Sequence, residues 1–317
     1  MLFGAIFCCV DSALTIAACL SHRSPFVSPI GHRDLADAKK KQMAVSNSDH
    51  LTMLEAYKVV CVAIRDGVPS ESGVGYAGKN YAQVNFLSDK TLVAMADIKH
   101  QFLELLASIG FIHLTHRSRR SGEDKVCQMV AEELNNNNSN NRILAAILCA
   151  ALYPNVVKVL TPERFFAASV GGAVPREHRS DEMKFKTKLD GYVFLHPSSV
   201  NFDQTYFQSP YLVYQEKHKT SKVFIKDSTM VPLLPFILFS GCDLHVELNQ
   251  GRFVLALDDG WIMVAVESQR VAELLRLIRE ELIKILAEKI KDPTLDLSTD
   301  DRSKKVINTI FYLVTHG

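Results

Sequence analysis

An excess of charge of one sign is missing from this sequence: 36 Lys and Arg stand against 35 Asp and Glu in 317 residues, a formal net charge of +1. Such a balance gives no whole-chain attraction to nucleic acid or membranes, so any basic surface must come from local clustering. Paired cysteines are missing too. The seven Cys (8, 9, 19, 61, 127, 149 and 242) are odd in number, and most sit in apolar runs. No C-x-x-C pair exists, which argues against a zinc site and predicts buried free thiols in a reducing compartment. H-E-x-x-H, G-x-S-x-G and paired Cys–His arrangements are also absent, so the residues alone show no recognisable catalytic site. Disorder is excluded by the 47% of hydrophobic residues, and the length suffices for two domains.

Two stretches imitate nucleotide chemistry. "SGVGYAGKN" (Ser72 to Asn80) has the G-x-G-x-x-G spacing and falls one hydroxyl short of a Walker A loop, Asn80 standing where Ser or Thr would hold Mg²⁺. A phosphate loop needs a strand delivering the chain directly into the glycines. Here the preceding segment reads as helix, and eight residues including Pro69 separate "VVCVAI" from Gly73, so the glycines are expected to form a flexible interhelical loop. "FVLALDD" resembles a Walker B strand, but Asp259-Gly260 between apolar runs is a hairpin signal. "HRDL" (His32 to Leu35) opens like a kinase catalytic loop, yet Lys39 stands where the metal-binding Asn would fall; Asp34 reads as a helix cap.

The first twenty residues are apolar enough to mimic a signal peptide or membrane span. No basic residue precedes them, and Asp11-Ser12 interrupts the run as a helix N-cap, so a cytosolic helical core is the expectation. Helical periodicity continues to about Ala151. A basic helix is expected from Asp34 to Val45, with Lys39, Lys40 and Lys41 on its wet face. A helix capped by Ser48 and Asp49 follows, then one carrying Leu92, Met95 and Phe102, a polar asparagine loop at 135–141, and an apolar helix from Ile143. Asp49 and His50 read as structural. After Pro154, β-branched and aromatic residues alternate between turn signals at His196-Pro197, Asn249-Gln250-Gly251 and Asp259-Gly260, predicting a small antiparallel barrel. Helices from Ser268 and from Arg302 to Val314 close the chain. The fold class is α+β.

Several segments resemble one family in its own order. "GAIFCCVDSALTIAACLSHRSPF", "SDHLTMLEAY", "NFLS" with "DIKHQF", and "AAILCAALYPNVVKV" are similar to the region following the motor domains of DEAH-box RNA helicases. "HPSSVNF" and "YLVYQEKHKTSKVFIKDSTMV" look like that family's C-terminal OB-fold. The resemblance covers nearly the whole chain, and the large multidomain eukaryotic members look most similar. It departs at Val60, where the family usually has Trp, at Ala151 in place of Gly, and in the asparagine run.

The resemblance implies residues 1–25 as a winged-helix remnant, 26–152 as a helicase-associated ratchet domain, 153–293 as an OB-fold-like domain and 294–317 as a C-terminal helix. It further implies that the RecA-like domains, with the ATP and Mg²⁺ they bind, lie outside this chain, which is then a fragment without ATPase activity of its own. Leu2, Phe3, Ile6 and Phe7 would face those domains, and poor solubility is expected. Single-stranded RNA is the implied partner, with helicase activator proteins as a second class and no membrane, in the cytoplasm or nucleus. Lys217, Lys219 and Lys222 cluster on one hairpin with Thr220, and Lys184, Lys186 and Lys188 alternate along a strand. Tyr214 serves either as stacking platform or as core; His196 and Ser198 sit at a turn able to bond RNA or merely its own backbone. The rival function is a protein-interaction module that binds no RNA.

Overall fold

In the computed structural model, residues 1–65, 77–115, 124–161, 165–169, 172–176 and 179–317 are described. The chain opens with α1 (Leu2–Ile6) and α2 (Val10–Ser21), then α3 (Arg33–Gln42), α4 (Asp49–Arg65), α5 (Ala77–Val84), α6 (Asp89–Ser108), α7 (Val126–Met129) and α8 (Asn141–Leu152). Ser48 caps α4 by accepting from the Leu51 amide at 3.0 Å, and Asn140 caps α8 through Ile143 at 3.1 Å.

The asparagine run does more than fill a loop. Asn135 accepts from the Asp11 amide, and Asn138 accepts from the Ser12 amide, at 3.0 and 3.1 Å. These are orphan donors at the start of α2, so the cap comes from 124 residues away and not from Asp11 or Ser12. Leu2, Phe3, Ile6 and Phe7 correct a second expectation. Ile6 and Phe7 are buried, and the Phe3 and Phe7 rings lie 5.4 and 5.5 Å from that of Phe239, so this chain covers them itself.

Strands β1 (Val156–Leu160), β4 (Lys184–Thr187), β5 (Gly191–Leu195), β6 (Tyr211–Lys219) and β7 (Val223–Met230) close into a barrel of order β1-β4-β5-β7-β6. Counting barrel strands alone, this is 1-2-3-5-4, with a single parallel pair, β5 with β7, among antiparallel ones. That is a five-stranded Greek-key barrel of the OB type. Between its first two strands stands the hairpin β2 (Phe165–Ser169) and β3 (Gly172–Arg176). The barrel interior holds Val157, Phe185, Val193, Leu212, Tyr214 and Ile225.

The strands after Cys242 do not join this barrel, against the expectation of one unit over 153–293. Following α9 (Leu233–Phe239), β8 (Leu244–Asn249), β9 (Arg252–Leu257) and β10 (Ile262–Val266) form their own antiparallel sheet, backed by α10 (Gln269–Lys291), while α11 (Asp301–His316) packs on α8, α9 and α10. The two hairpins of that sheet turn through left-handed backbone at Gln250-Gly251 and at Asp258-Asp259-Gly260, as turn residues allow. One apolar core runs through all three parts, from Phe7 and Leu144 through Val213 and Phe236 to Leu255, Leu282 and Ile310. Arg279 of α10, only 3% exposed, ties α9 in by donating to the carbonyls of Ile237, Ser240 and Cys242 at the end of that helix.

Candidate nucleic-acid interface

β5 alternates cleanly: Val193 and Leu195 enter the barrel, while Tyr192 and Phe194 point out, 62% and 43% exposed. Register extends that outer face sideways. Tyr192 pairs with Lys186, which pairs with Lys158, giving one row across three strands. Phe194 pairs with Phe224, which pairs with His218, giving a second row about 7 Å further along. The ammonium of Lys222 lies 4.4 Å from the centre of the Phe194 ring, and the Phe194 and Phe224 centroids are 6.1 Å apart. Exposed aromatic faces flanked by ammonium groups suit bases and phosphates respectively.

The residues singled out from sequence divide across this surface. Lys186 and Lys222 lie on it, and Lys219, Thr220 and Ser221 form the exposed β6–β7 turn, closed by the Thr220 amide donating to the Lys222 carbonyl at 2.9 Å. Lys217 is committed elsewhere, its ammonium 2.7 Å from the Asp190 carboxylate in the β4–β5 turn. Lys188 binds Asp258 and Asp259 of the last sheet and so braces the barrel against it. Tyr214 is corrected outright as a stacking platform: it is 6% exposed inside the barrel, with no face for a base. Sequence reasoning missed Tyr192, Phe194 and Phe224, although the alternation in "GYVFLHP" carried the signal for the first two.

His196 and Ser198 are turned inward on each other, Nδ1 lying 2.7 Å from the Ser198 hydroxyl. Partial burial, then the nearby cations Lys226, His218, Arg33 and Lys40, hold the imidazole below its usual pKa. The turn they build, "HPSSVN", is gripped from the helical side. Asp49, fully buried at the start of α4, accepts from the Lys40 ammonium (2.9 Å), the Ser199 hydroxyl (2.5 Å) and the amides of Val200 and Ser228 (both 3.0 Å). Lys40 also donates to the Ser198 carbonyl at 2.6 Å. Lys40 is therefore 8% exposed and not on a wet face, whereas Lys41 reaches the exposed Asp203. Burial alone would raise the Asp49 pKa; Lys40 and the three other donors reverse this and lower it. His50 beside it bonds Thr229 at 2.7 Å, and burial pushes its pKa down to about 4.

The nucleotide-loop imitation dissolves. Gly73 and Gly75, and with them most of the expected interhelical loop, lie outside the described residues. Gly78, Lys79 and Asn80 belong to α5, and among the described residues the element before them is helix α4, where a phosphate loop needs a strand. The Asp258–Gly260 stretch is the β9–β10 turn. Among the described residues no helix is long and apolar enough to cross a membrane, and all seven cysteines are free, Cys127 being exposed.

A five-stranded OB barrel clamped to a helical bundle and followed by a sheet-and-helix cap is the C-terminal architecture of DEAH-box RNA helicases. The comparisons agree part by part: residues 1–53 match the ratchet-like helicase-associated domain (HA2), 144–242 the oligonucleotide/oligosaccharide-binding fold, and 254–316 the C-terminal domain in RNA helicases. The chain belongs to that family. It is 48% identical over 99% of its length to human DHX57 and spans 23% of that protein. Mouse DHX36, an ATP-dependent DNA/RNA helicase, is 37% identical over 92% of the chain, which spans 26% of it. Arabidopsis thaliana DExH1, a DExH-box ATP-dependent RNA helicase, is 35% identical over 99% of the chain, 27% of its own length being spanned. The chain thus spans about a quarter of the curated relatives it matches.

Proposed function

We propose that these residues grip single-stranded RNA for a DEAH-box helicase, and that the grip is the outer face of β4, β5 and β7 with the β6–β7 turn. The observation that carries the reading is the pair of rows Lys158–Lys186–Tyr192 and Phe194–Phe224–His218, with Lys222 against Phe194. Stacking on sequence-tolerant aromatic faces, with lysines on phosphates, holds a strand that has to move. ATP-dependent translocation and unwinding are assigned to motor domains that bind ATP and Mg²⁺, and no ATP turnover is assigned to the residues described above.

Fluorescence anisotropy with a labelled oligouridine tests this. Lys186→Glu with Lys222→Glu should weaken binding at least tenfold, and wild-type affinity should fall steeply between about 50 and about 200 mM salt. Unchanged affinity in the double variant would refute the assignment. The second reading is a docking module for helicase activators, favoured by the exposed Leu274, Leu277, Ile283 and Ile290 of α10. Binding through that helix would be insensitive to salt and to both lysine variants.

A further inference from the structure

Beside the barrel face lies a cleft of about 730 Å³ between the end of α2, the start of α6 and strands β6 and β7. A strand presents alternate residues to one side. Here both members of two consecutive pairs, Gln215 with Glu216 and Lys226 with Asp227, line the same cleft. The ladder permits this by breaking: Tyr214 pairs with Ser228 and Glu216 with Lys226, but Gln215 and Asp227 between them form no pair. Asp227 sits at φ 52°, in the left-handed region that a non-glycine residue adopts at a cost.

Its carboxylate is the anomaly. Asp227 is 92% buried by its 8% exposure, lines the cleft, and makes no hydrogen bond or ion pair among the described residues. Its oxygens are not shut off from solvent, so the carboxylate offers open acceptor positions to whatever enters the cleft. Burial and the neighbouring Asp49 charge raise its pKa, in keeping with an unfilled need for donors. Gln215 donates its amide N–H to the Leu20 carbonyl at 2.8 Å, which turns its remaining groups along the cleft wall. Arg23 and Lys226 line the same cleft, Lys226 lying 3.8 Å from the Glu216 carboxylate, which leaves Arg23 as the lining cation with no ion pair among the described residues. A nucleotide would bring its phosphate to Arg23 and its base to Asp227. Lys226 follows Phe224 by two residues, so the cleft continues the aromatic face.

We propose that this cleft is a base-selective subsite for single-stranded RNA, in which the Asp227 carboxylate accepts the N1–H and N2–H donors of an unpaired guanine. Two parallel donors on one base edge match two carboxylate oxygens; adenine and cytosine offer one amino group, and uracil a single N–H beside two carbonyls that the carboxylate repels. The subsite rests on the RNA reading above and adds sequence preference to it.

The test is anisotropy on the whole chain with labelled oligouridine and the same oligomer carrying a central guanosine or inosine, which lacks the N2 amine. Guanosine should tighten wild-type binding about tenfold, within the range of one bidentate base contact, with inosine intermediate. Asp227→Asn, which exchanges one acceptor oxygen for a donor amide, should abolish the guanosine preference and leave oligouridine affinity unchanged. Equal affinity of wild type for all three oligomers overturns the subsite while sparing the barrel grip, and needs no variant to fold. Guanosine preference retained in Asp227→Asn also overturns it. Failure of wild type to bind any oligomer overturns both readings, whereas an arginine-rich peptide that binds wild type but not Asp227→Asn overturns the subsite alone.

Discussion

Replacing Asp49 by Ala should uncouple the helical part from the barrel, because one carboxylate holds both. It accepts four hydrogen bonds with no exposure to water, and its loss leaves the amides of Val200 and Ser228 without acceptors. It also leaves the Lys40 ammonium, 11% exposed at the side chain, with only the Ser198 carbonyl. Each orphaned buried donor costs about 1–3 kcal/mol and breaking a buried ion pair about 3–5 kcal/mol. These overlap, so the expected loss is about 4 kcal/mol, a thousandfold in the folding equilibrium. Asp49→Asn keeps one acceptor and should lose about half of that. Urea unfolding followed separately by Trp261 fluorescence, near the last sheet, and by far-ultraviolet helicity measures it; the two transitions should coincide in wild type and separate in Asp49→Ala. Acid gives an independent sign. The folded Asp49 pKa lies below its unfolded value, so its stabilisation is complete above about pH 4 and disappears as pH falls through the folded pKa. A loss under about 1 kcal/mol with coincident transitions would refute the clamp.

His50 gives a second pH window: its pKa falls from 6.5 to about 4 on folding, so wild-type stability should decline as pH drops from about 6.5 towards 4, and a His50→Gln melting series should be flatter there. Lys99 of α6 lies fully buried between Asp11 and Asp124, 2.6 Å from each, with the Tyr57 ring 5.3 Å away. Lys99→Met should therefore cost about 3–5 kcal/mol in urea unfolding, relieved in part by adding Asp124→Asn, since Asp11 keeps its charge. Phe194→Ala or Tyr192→Ala should weaken oligouridine binding about tenfold in anisotropy, the scale of one stacked base, while the melting temperature stays within a few degrees, since both rings are exposed.

What could be read from the sequence follows how strictly each element repeats. Helices with polar caps and one apolar face declared themselves: Ser48 and Ser268 cap where the pattern begins. β6 hid its geometry because Tyr211 to Tyr214 are all buried, packed against helices on one side and barrel interior on the other, so period two vanishes and Tyr214 looked available. Three consecutive lysines at 39–41 carry no mark of which one is buried; that depends on Asp49 and Ser198, the latter 158 residues away from Lys40. Lysine density drew attention to Lys217, yet its Asp190 partner belongs to another hairpin. The barrel also ends earlier than strand propensity suggests, because β8 to β10 are as β-prone as β4 to β7 and only pairing distinguishes them.

The buried Asp49 cluster holds the strands that carry the aromatic rows. Lys40 and Asp49 fix the "HPSSVN" turn that follows β5, and Ser228 fixes β7 beside it, so the parallel pair carrying Phe194 and Phe224 is set from the helical side. Rings on strands anchored by buried hydrogen bonds are held in fixed positions, as a stacking surface requires. The same anchoring forces the kink at Asp227, because Ser228 must turn its amide towards Asp49 while Lys226 remains in register with Glu216. Releasing the clamp should therefore disturb RNA binding at Phe194 and any guanine preference at Asp227 together, although neither residue touches Asp49. Asp49→Asn, used under conditions where far-ultraviolet circular dichroism shows it folded, separates this coupling from simple unfolding: its affinity for oligouridine should fall by more than that of Lys41→Ala, whose exposed partner Asp203 anchors nothing in the sheet.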